Sequence, residues 1–253
     1  MEAKKESCSD GNIRIKDFEA DHVDHDDHKQ ELSLSLEKLN LAPKKKKLLV
    51  LNLNGLLLHR SIHTSLFKRP FSEEFMKFCL ERFEVGIWTS AKKHNVDGAL
   101  TFAIGEESKN KLLFVWDQSH CFYCIGMKSM EKKEKPLFFK ELKKVWEKVK
   151  KGGSYSPSNT LMIDDKAYKS FIDPPNTTIF VKSYDTEDKE DNALDPNGEL
   201  CEYLKGVAEA EDVQSYVKDN AFGLPPLTST HPHWSYYTQI FTTQFLNFWS
   251  AGK

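Results

Sequence analysis

The chain reads as an α/β protein, a Rossmann-like doubly wound sheet of mostly parallel strands. Three observations carry that expectation. Short apolar runs, LLVL at 48–51, VGIW at 85–88 and LMI at 161–163, have no polar alternation, as expected of strands buried on both faces. Segments of helical period lie between them. Each run then ends in polar residues: Asn52 and Asn54, Thr89 and Ser90, Asp164 and Asp165. Open α/β sheets bind ligands beyond the carboxyl ends of their strands, so these residues stand where such a fold places its chemistry.

Taken in order, residues 1–43 are polar and acidic, too poor in large apolar side chains to offset the entropy of ordering, and are expected to be disordered. His22, His25 and His28 lie there among aspartates, either a weak divalent-metal tract without sharp ligand spacing or a solvated acidic tail. Leu32, Leu34 and Leu36 alternate with serines. That pattern resembles the short repression motif of plant transcriptional regulators, which implies a co-repressor partner; a packed lead-in to the domain is the alternative. Lys44 to Lys47 are a nuclear-localisation patch or a charged gatekeeper before the first strand.

The main domain is expected over 44–222. After the first strand, SEEFMKFCLERF predicts a helix with Ser72 as its cap and Phe75, Phe78, Cys79 and Phe83 on its buried face. Thr89, after the second strand, is an anion-binding hydroxyl or a simple strand cap. LLFVW predicts a further strand, and Cys121 and Cys124 form a CxxC without a second ligand pair, which reads as buried thiols rather than zinc. KPLFFKELKKVWEKVKK predicts one helix burying Phe138, Leu142, Val145, Trp146 and Val149, with Lys140 off that face near its start. The strand before Asp164 and Asp165 ends in paired acids that suit a cation. TIFVKSY predicts a short strand and ELCEYLKGVAEAEDVQSYVKDN a helix, before an aromatic-rich C-terminal tail, 223–253, that either packs back or docks a partner.

Composition bounds the function. The 253 residues carry 36 Lys and Arg against 38 Asp and Glu, a formal charge of -2, so no overall basic field recommends direct nucleic-acid binding. The five cysteines are an odd, scattered set that fits a reducing compartment. No apolar run approaches a membrane span or a secretory leader, and a nuclear or cytoplasmic protein without membrane contact is expected.

Four ordered motifs, LLVLNLNGLL, GIWTSA, KELKKVW and TLMIDD, with RPFSEEF between the first two, resemble the haloacid dehalogenase superfamily. Within it they resemble the C-terminal-domain phosphatase branch, the NLI-interacting-factor-like family, over roughly Lys44 to Asn220. The order KELKKVW then NTLMIDD looks most like the ubiquitin-like-domain phosphatases. The resemblance implies a haloacid-dehalogenase-like sheet with a small insertion between the second and third motifs, and a magnesium-dependent serine/threonine phosphatase. Two aspartates of a DxDG motif would act there, the first as nucleophile and the second as acid and base. Carried over, the nucleophile position is Asn52 and the acid/base position Asn54. The phosphate binders are Thr89 and Lys140, with Lys135 a fallback for the lysine. The metal positions are Asn52, Asn54, Asp164 and Asp165.

Both carboxylates of the first motif are asparagine here. An amide is a poor nucleophile and cannot exchange a proton near neutral pH, and phosphate monoesters need rate enhancements of up to about 10²¹-fold. The expectation is a catalytically impaired protein that binds a phosphoserine or phosphothreonine protein or serves as a scaffold, with magnesium weak or absent. An active phosphatase is the alternative.

Overall fold

The computed structural model describes residues 45–61, 65–131 and 135–251, with side chains described as far as residue 244. His22, His25, His28, the leucines at 32, 34 and 36, and Lys44 lie outside the described residues.

In chain order the strands and helices are β1 (Lys47–Leu51), β2 (Leu58–Arg60), β3 (Leu66–Lys68), α1 (Ser72–Arg82), β4 (Phe83–Trp88), α2 (Asp97–Asn110) and β5 (Phe114–Trp116). They continue with β6 (Phe122–Lys128), β7 (Pro136–Phe139), α3 (Leu142–Lys148), β8 (Thr160–Asp164), β9 (Thr178–Phe180), α4 (Glu199–Glu209), α5 (Val213–Asp219) and α6 (Trp234–Ala251).

Five strands form one sheet in the order β5-β4-β1-β8-β9, and every neighbouring pair is parallel. Alternation along the strands fills both faces. Leu49, Leu51, Val85, Ile87, Leu161 and Ile163 pack under α1, α2, α4 and α5. Leu48, Val50, Trp88 and Met162 meet Leu142, Val145 and Val149 of α3 and its end on the other face. From β1 the chain moves to β4 on one side, whereas from β8 it moves to β9 on the other. The crevice between β1 and β8 is therefore the switch point at which doubly wound sheets bind ligands.

Small elements position that crevice. The loop after β1 is clamped by the buried Arg69, which donates to both oxygens of Asp191 at 2.9 Å and to the Leu56 carbonyl at 3.3 Å. The β6–β7 hairpin is the insertion between the second and third motifs.

Three expectations need correction. The helix foreseen from Lys135 onward begins only at Leu142. Residues 136–139 are a strand, with Leu137 and Phe139 buried and Phe138 half-buried toward Tyr123, a period of two rather than 3.6. Lys140 sits between that strand and α3. Ser72 does not cap α1; its hydroxyl donates to the Ala103 carbonyl at 2.7 Å, and the chain enters the helix through Phe71 in a left-handed conformation. The segment foreseen as one helix over 199–220 is two, α4 and α5, with Asp212 accepting from the Ser215 amide at 2.6 Å to cap the second. No helix among the described residues is long and apolar enough to cross a membrane.

Candidate functional site

The parallel ladder brings the ends of β1 and β8 together. The Asn52 amide donates to the Ile163 carbonyl at 3.0 Å, which extends the pairing by one residue and sets Asn52 beside Asp164 and Asp165. Gly55 has a φ of 91°. A side chain there would collide with the Asp165 carboxylate, so only glycine lets the loop after β1 close so tightly over the acid.

Four of the expected site residues form one buried cluster. Asn52 Nδ2 donates to the Asn54 carbonyl at 2.7 Å and to Asp165 Oδ1 at 2.8 Å. Asn52 Oδ1 accepts from Lys140 Nζ at 3.2 Å. Lys140 Nζ also reaches Asp164 Oδ2 at 2.5 Å. Asn54 and Thr89 line the same cavity of about 1150 Å³. The Asn54 side-chain oxygen is occupied by the Arg60 amide at 2.8 Å. The buried Thr89 hydroxyl accepts from the Ala91 amide at 3.2 Å, which is how a strand cap behaves, and leaves its proton to give.

Lys169 belongs to this cluster and was not foreseen. It is buried, with Nζ 2.8 Å from Asp164 Oδ1 and 3.1 Å from Asp165 Oδ1. Asp164 is therefore spent: its oxygens face two ammonium groups and the amides of Asp165 and Lys166, at 2.8 and 3.1 Å. Asp165 keeps the more open position, held by the Ser183 hydroxyl at 2.5 Å on Oδ2. The only sequence sign of Lys169 was a lysine four and five residues after the paired acids, in the turn KAYKS.

Charge follows from these contacts. Burial opposes the Asp165 charge, but Lys169 and the hydrogen bonds from its neighbours outweigh it and hold the carboxyl well below the usual carboxylate range. Burial likewise opposes the Lys169 ammonium, and the two aspartates reverse that and raise its pKa. For Lys140 burial prevails over Asp164 and lowers the pKa, with Lys169 adding to the shift. The two lysines thus shift oppositely against the same carboxylate; the short contacts of both with Asp164 favour reading them as its two counter-ions. Cys121, at the cavity wall, and Cys124 are free and buried, and burial pushes both thiols up, Cys124 to about 12.

Among the described residues no three His, Cys, Asp or Glu side chains gather as a metal site. The donor set at the crevice suits magnesium poorly. That ion wants hard oxygens in octahedral array, whereas here an amide NH2 fills the corner between the Asn54 carbonyl and Asp165.

A doubly wound parallel sheet, with a buried polar cluster at the ends of its adjoining strands β1 and β8, defines the class of α/β domains that bind ligands at a topological switch point. A family model for the NLI interacting factor-like phosphatases matches residues 47–214, and the chain belongs to that family. An uncharacterised FCP1 homology domain-containing protein of Schizosaccharomyces pombe is 29% identical over 199 residues, 70% of this chain and 78% of that protein. The ubiquitin-like domain-containing CTD phosphatase 1 of Xenopus laevis is 24% identical over 94% of this chain, and that of Danio rerio 25% over 80%. The chain spans only 64% and 58% of those two proteins. A solved structure of the fission yeast RNA polymerase II CTD phosphatase Fcp1 bound to beryllium fluoride aligns over 85% of this chain and 54% of its own, at 11% identity. The TM-score of that alignment is 0.37.

Proposed function

We propose that this chain is a catalytically silent member of its family that binds a phosphoserine- or phosphothreonine-bearing protein. The observation that carries the reading is the hydrogen-bonded state of Asn52. At the position where the family's nucleophile stands, a carboxamide has its oxygen turned to Lys140 and its nitrogen to Asn54 and Asp165. It holds no anionic oxygen for attack on phosphorus. Asn54, at the acid/base position, has no titratable proton.

The charge balance of the pocket supports binding of an anion. With Asp164 and Asp165 matched by Lys140 and Lys169, the inner cluster is neutral, where two further aspartates would leave it at a charge of about −2 and repel a phosphate dianion. Around it the cavity wall carries Arg60, Lys92, Lys135, Lys166 and Lys182 against Glu131 and Asp185, with Lys182 also paired to Asp188 at 3.1 Å. That electropositive mouth stands out in a chain whose formal charge is -2. Thr89, on the cavity wall, would hold a phosphoryl oxygen by a charge-assisted hydrogen bond, and Lys140, closed off behind Asn52, would add its charge.

The second reading, a magnesium-dependent serine/threonine phosphatase, draws on the retention of Thr89 and Asp165 at the cavity wall and of Lys140 and Asp164 buried behind it. It requires a nucleophile other than Asn52.

The two readings separate in one experiment. Turnover of an aryl phosphate with magnesium is measured for this chain, Asn52→Asp and Asn52→Asp/Asn54→Asp, and a phosphoserine peptide is titrated into this chain beside its unphosphorylated form. The binding reading expects no turnover by this chain, gain of turnover in the double variant, and preference for the phosphorylated peptide. Magnesium-dependent turnover by this chain that disappears in Asp165→Ala would overturn it.

A further inference from the structure

The Asn52 carboxamide cannot turn round. Lys140 Nζ, which only donates, stands 3.2 Å from Oδ1, and the two groups 2.7 and 2.8 Å from Nδ2 are a carbonyl and a carboxylate, which only accept. The opposite orientation would set an NH2 against an ammonium and two oxygens against an oxygen. One side chain therefore bridges the Asn54 carbonyl and the Asp165 carboxylate with two partly positive hydrogens. A hard divalent cation at this corner would have to be shared by the same two oxygens, with an oxygen from residue 52 completing the set. To admit one, the NH2 must leave, and Lys140 blocks the turn that would present the oxygen instead. Asp165 cannot move aside either, fixed between Lys169, Ser183 and the close-packed Gly55.

We propose that the Asn52 amide nitrogen takes the place of a divalent cation, so that the pocket excludes Mg2+ and holds a phosphomonoester without one. The second half rests on the phosphate-binding reading above; the first stands without it. Nδ2 cancels the mutual repulsion of the two oxygens that a cation would otherwise cancel, and it does so permanently and independently of the metal concentration.

The test reads metal binding and ligand binding separately, on the full chain. Melting temperature is recorded in EDTA and in about 5 mM Mg2+, and water-proton relaxation is followed on titration with Mn2+. The chain is expected to melt within about 1 °C in the two buffers, while Asn52→Asp is expected to melt lower in EDTA and to gain about 3 °C or more with Mg2+. Should the aspartate variant fail to fold, Asn52→Ser, which removes the NH2 and offers a hard oxygen, is expected to enhance Mn2+ relaxation where this chain does not. Equal metal response in this chain and both variants, or none in any of them, overturns the assignment of Asn52 to the cation position. A phosphoserine peptide is expected to bind this chain within about twofold in EDTA and in Mg2+, and binding that appears only with Mg2+ overturns the metal-free site. Binding in neither buffer overturns the phosphate-binding reading, and the metal titration then still decides what occupies the cation position.

Discussion

Lys169 shows how much one side chain can settle. Paired acids at a strand end invite a cation, and the chain supplies two of its own: Lys140 from the segment before α3 and Lys169 from the turn after β8. A buried carboxylate that loses a counter-ion keeps its desolvation cost, so removing one partner of such a cluster is far more damaging than replacing the whole. Lys169→Met is expected to cost about 3–5 kcal/mol in urea unfolding, whereas Lys166→Met, whose ammonium stands 3.9 Å from Asp165 and is half-buried, is expected to cost under about 1 kcal/mol. The same cluster gives stability a pH signature. Asp165 has its pKa depressed below 3.8, so the stability it contributes is present above that value and lost as pH falls through the lower, folded one. Lys169→Met, which removes the largest lowering influence, is expected to flatten the acid limb of a melting-temperature profile below pH 4.

At the scale of elements, α3 depends on a carboxyl outside it. Asp173, in the turn after β8, accepts from the Leu142 amide at 2.6 Å, while its Oδ2 is shut from solvent without a hydrogen-bond partner. Burial, with Glu141 adding to it, raises the Asp173 carboxyl from 3.8 to about 8. An acid with a raised folded pKa keeps its proton in the folded chain over that window and loses it in the unfolded chain, so its share of the stability falls as pH rises from about 4 to about 8. Asp173→Asn keeps the acceptor and cannot ionise. The variant is expected to gain on the parent chain in melting temperature by a few degrees between pH 5 and 8, and a constant difference would show that Asp173 is charged in the fold. The elements themselves were unequally legible. β1, β4 and β8 could be read because strands buried on both faces leave continuous apolar runs. β7 could not, because PLFF continues the period of KELKKVW without a break, and only pairing with β6 decides it. Helix α2 left little signal, since Gly98 lies in its first turn and Gly105, at φ 75°, interrupts it. Asn52, Asn54, Thr89 and Asp165 could be placed at one cavity, with Lys140 and Asp164 buried behind it, because strand ends converge in this sheet. Lys169 could not, since the short four-residue turn Ala167–Ser170, rather than any sequence period, aims it inward.

Across the whole molecule, the C-terminal helix joins the insertion to the site. Tyr237 of α6 is fully buried; its hydroxyl accepts from the Met130 amide at 3.1 Å and donates to Glu131 at 2.7 Å, both at the end of the β6–β7 hairpin. Its ring stacks on Tyr168 at 5.4 Å, and Tyr168 is the neighbour of Lys169. Phe139 and Phe171 close the same cluster, so the hairpin, α6 and the turn carrying Lys169 share one apolar core distinct from the two that flank the sheet. Removing the ring would open a cavity in the smallest of these cores, where few neighbours can collapse to fill it. Tyr237→Ala is expected to cost about 3–5 kcal/mol, and Tyr237→Phe, which keeps the ring and strands the Met130 amide, about 1–3 kcal/mol. Because this core contains no residue of the five-stranded sheet, the loss should fall first on the hairpin. Amide exchange in Tyr237→Phe is expected to quicken over 122–139 while 47–51 and 160–164 keep their protection. Uniform acceleration across the sheet would instead show that α6 stabilises the domain as a single cooperative unit.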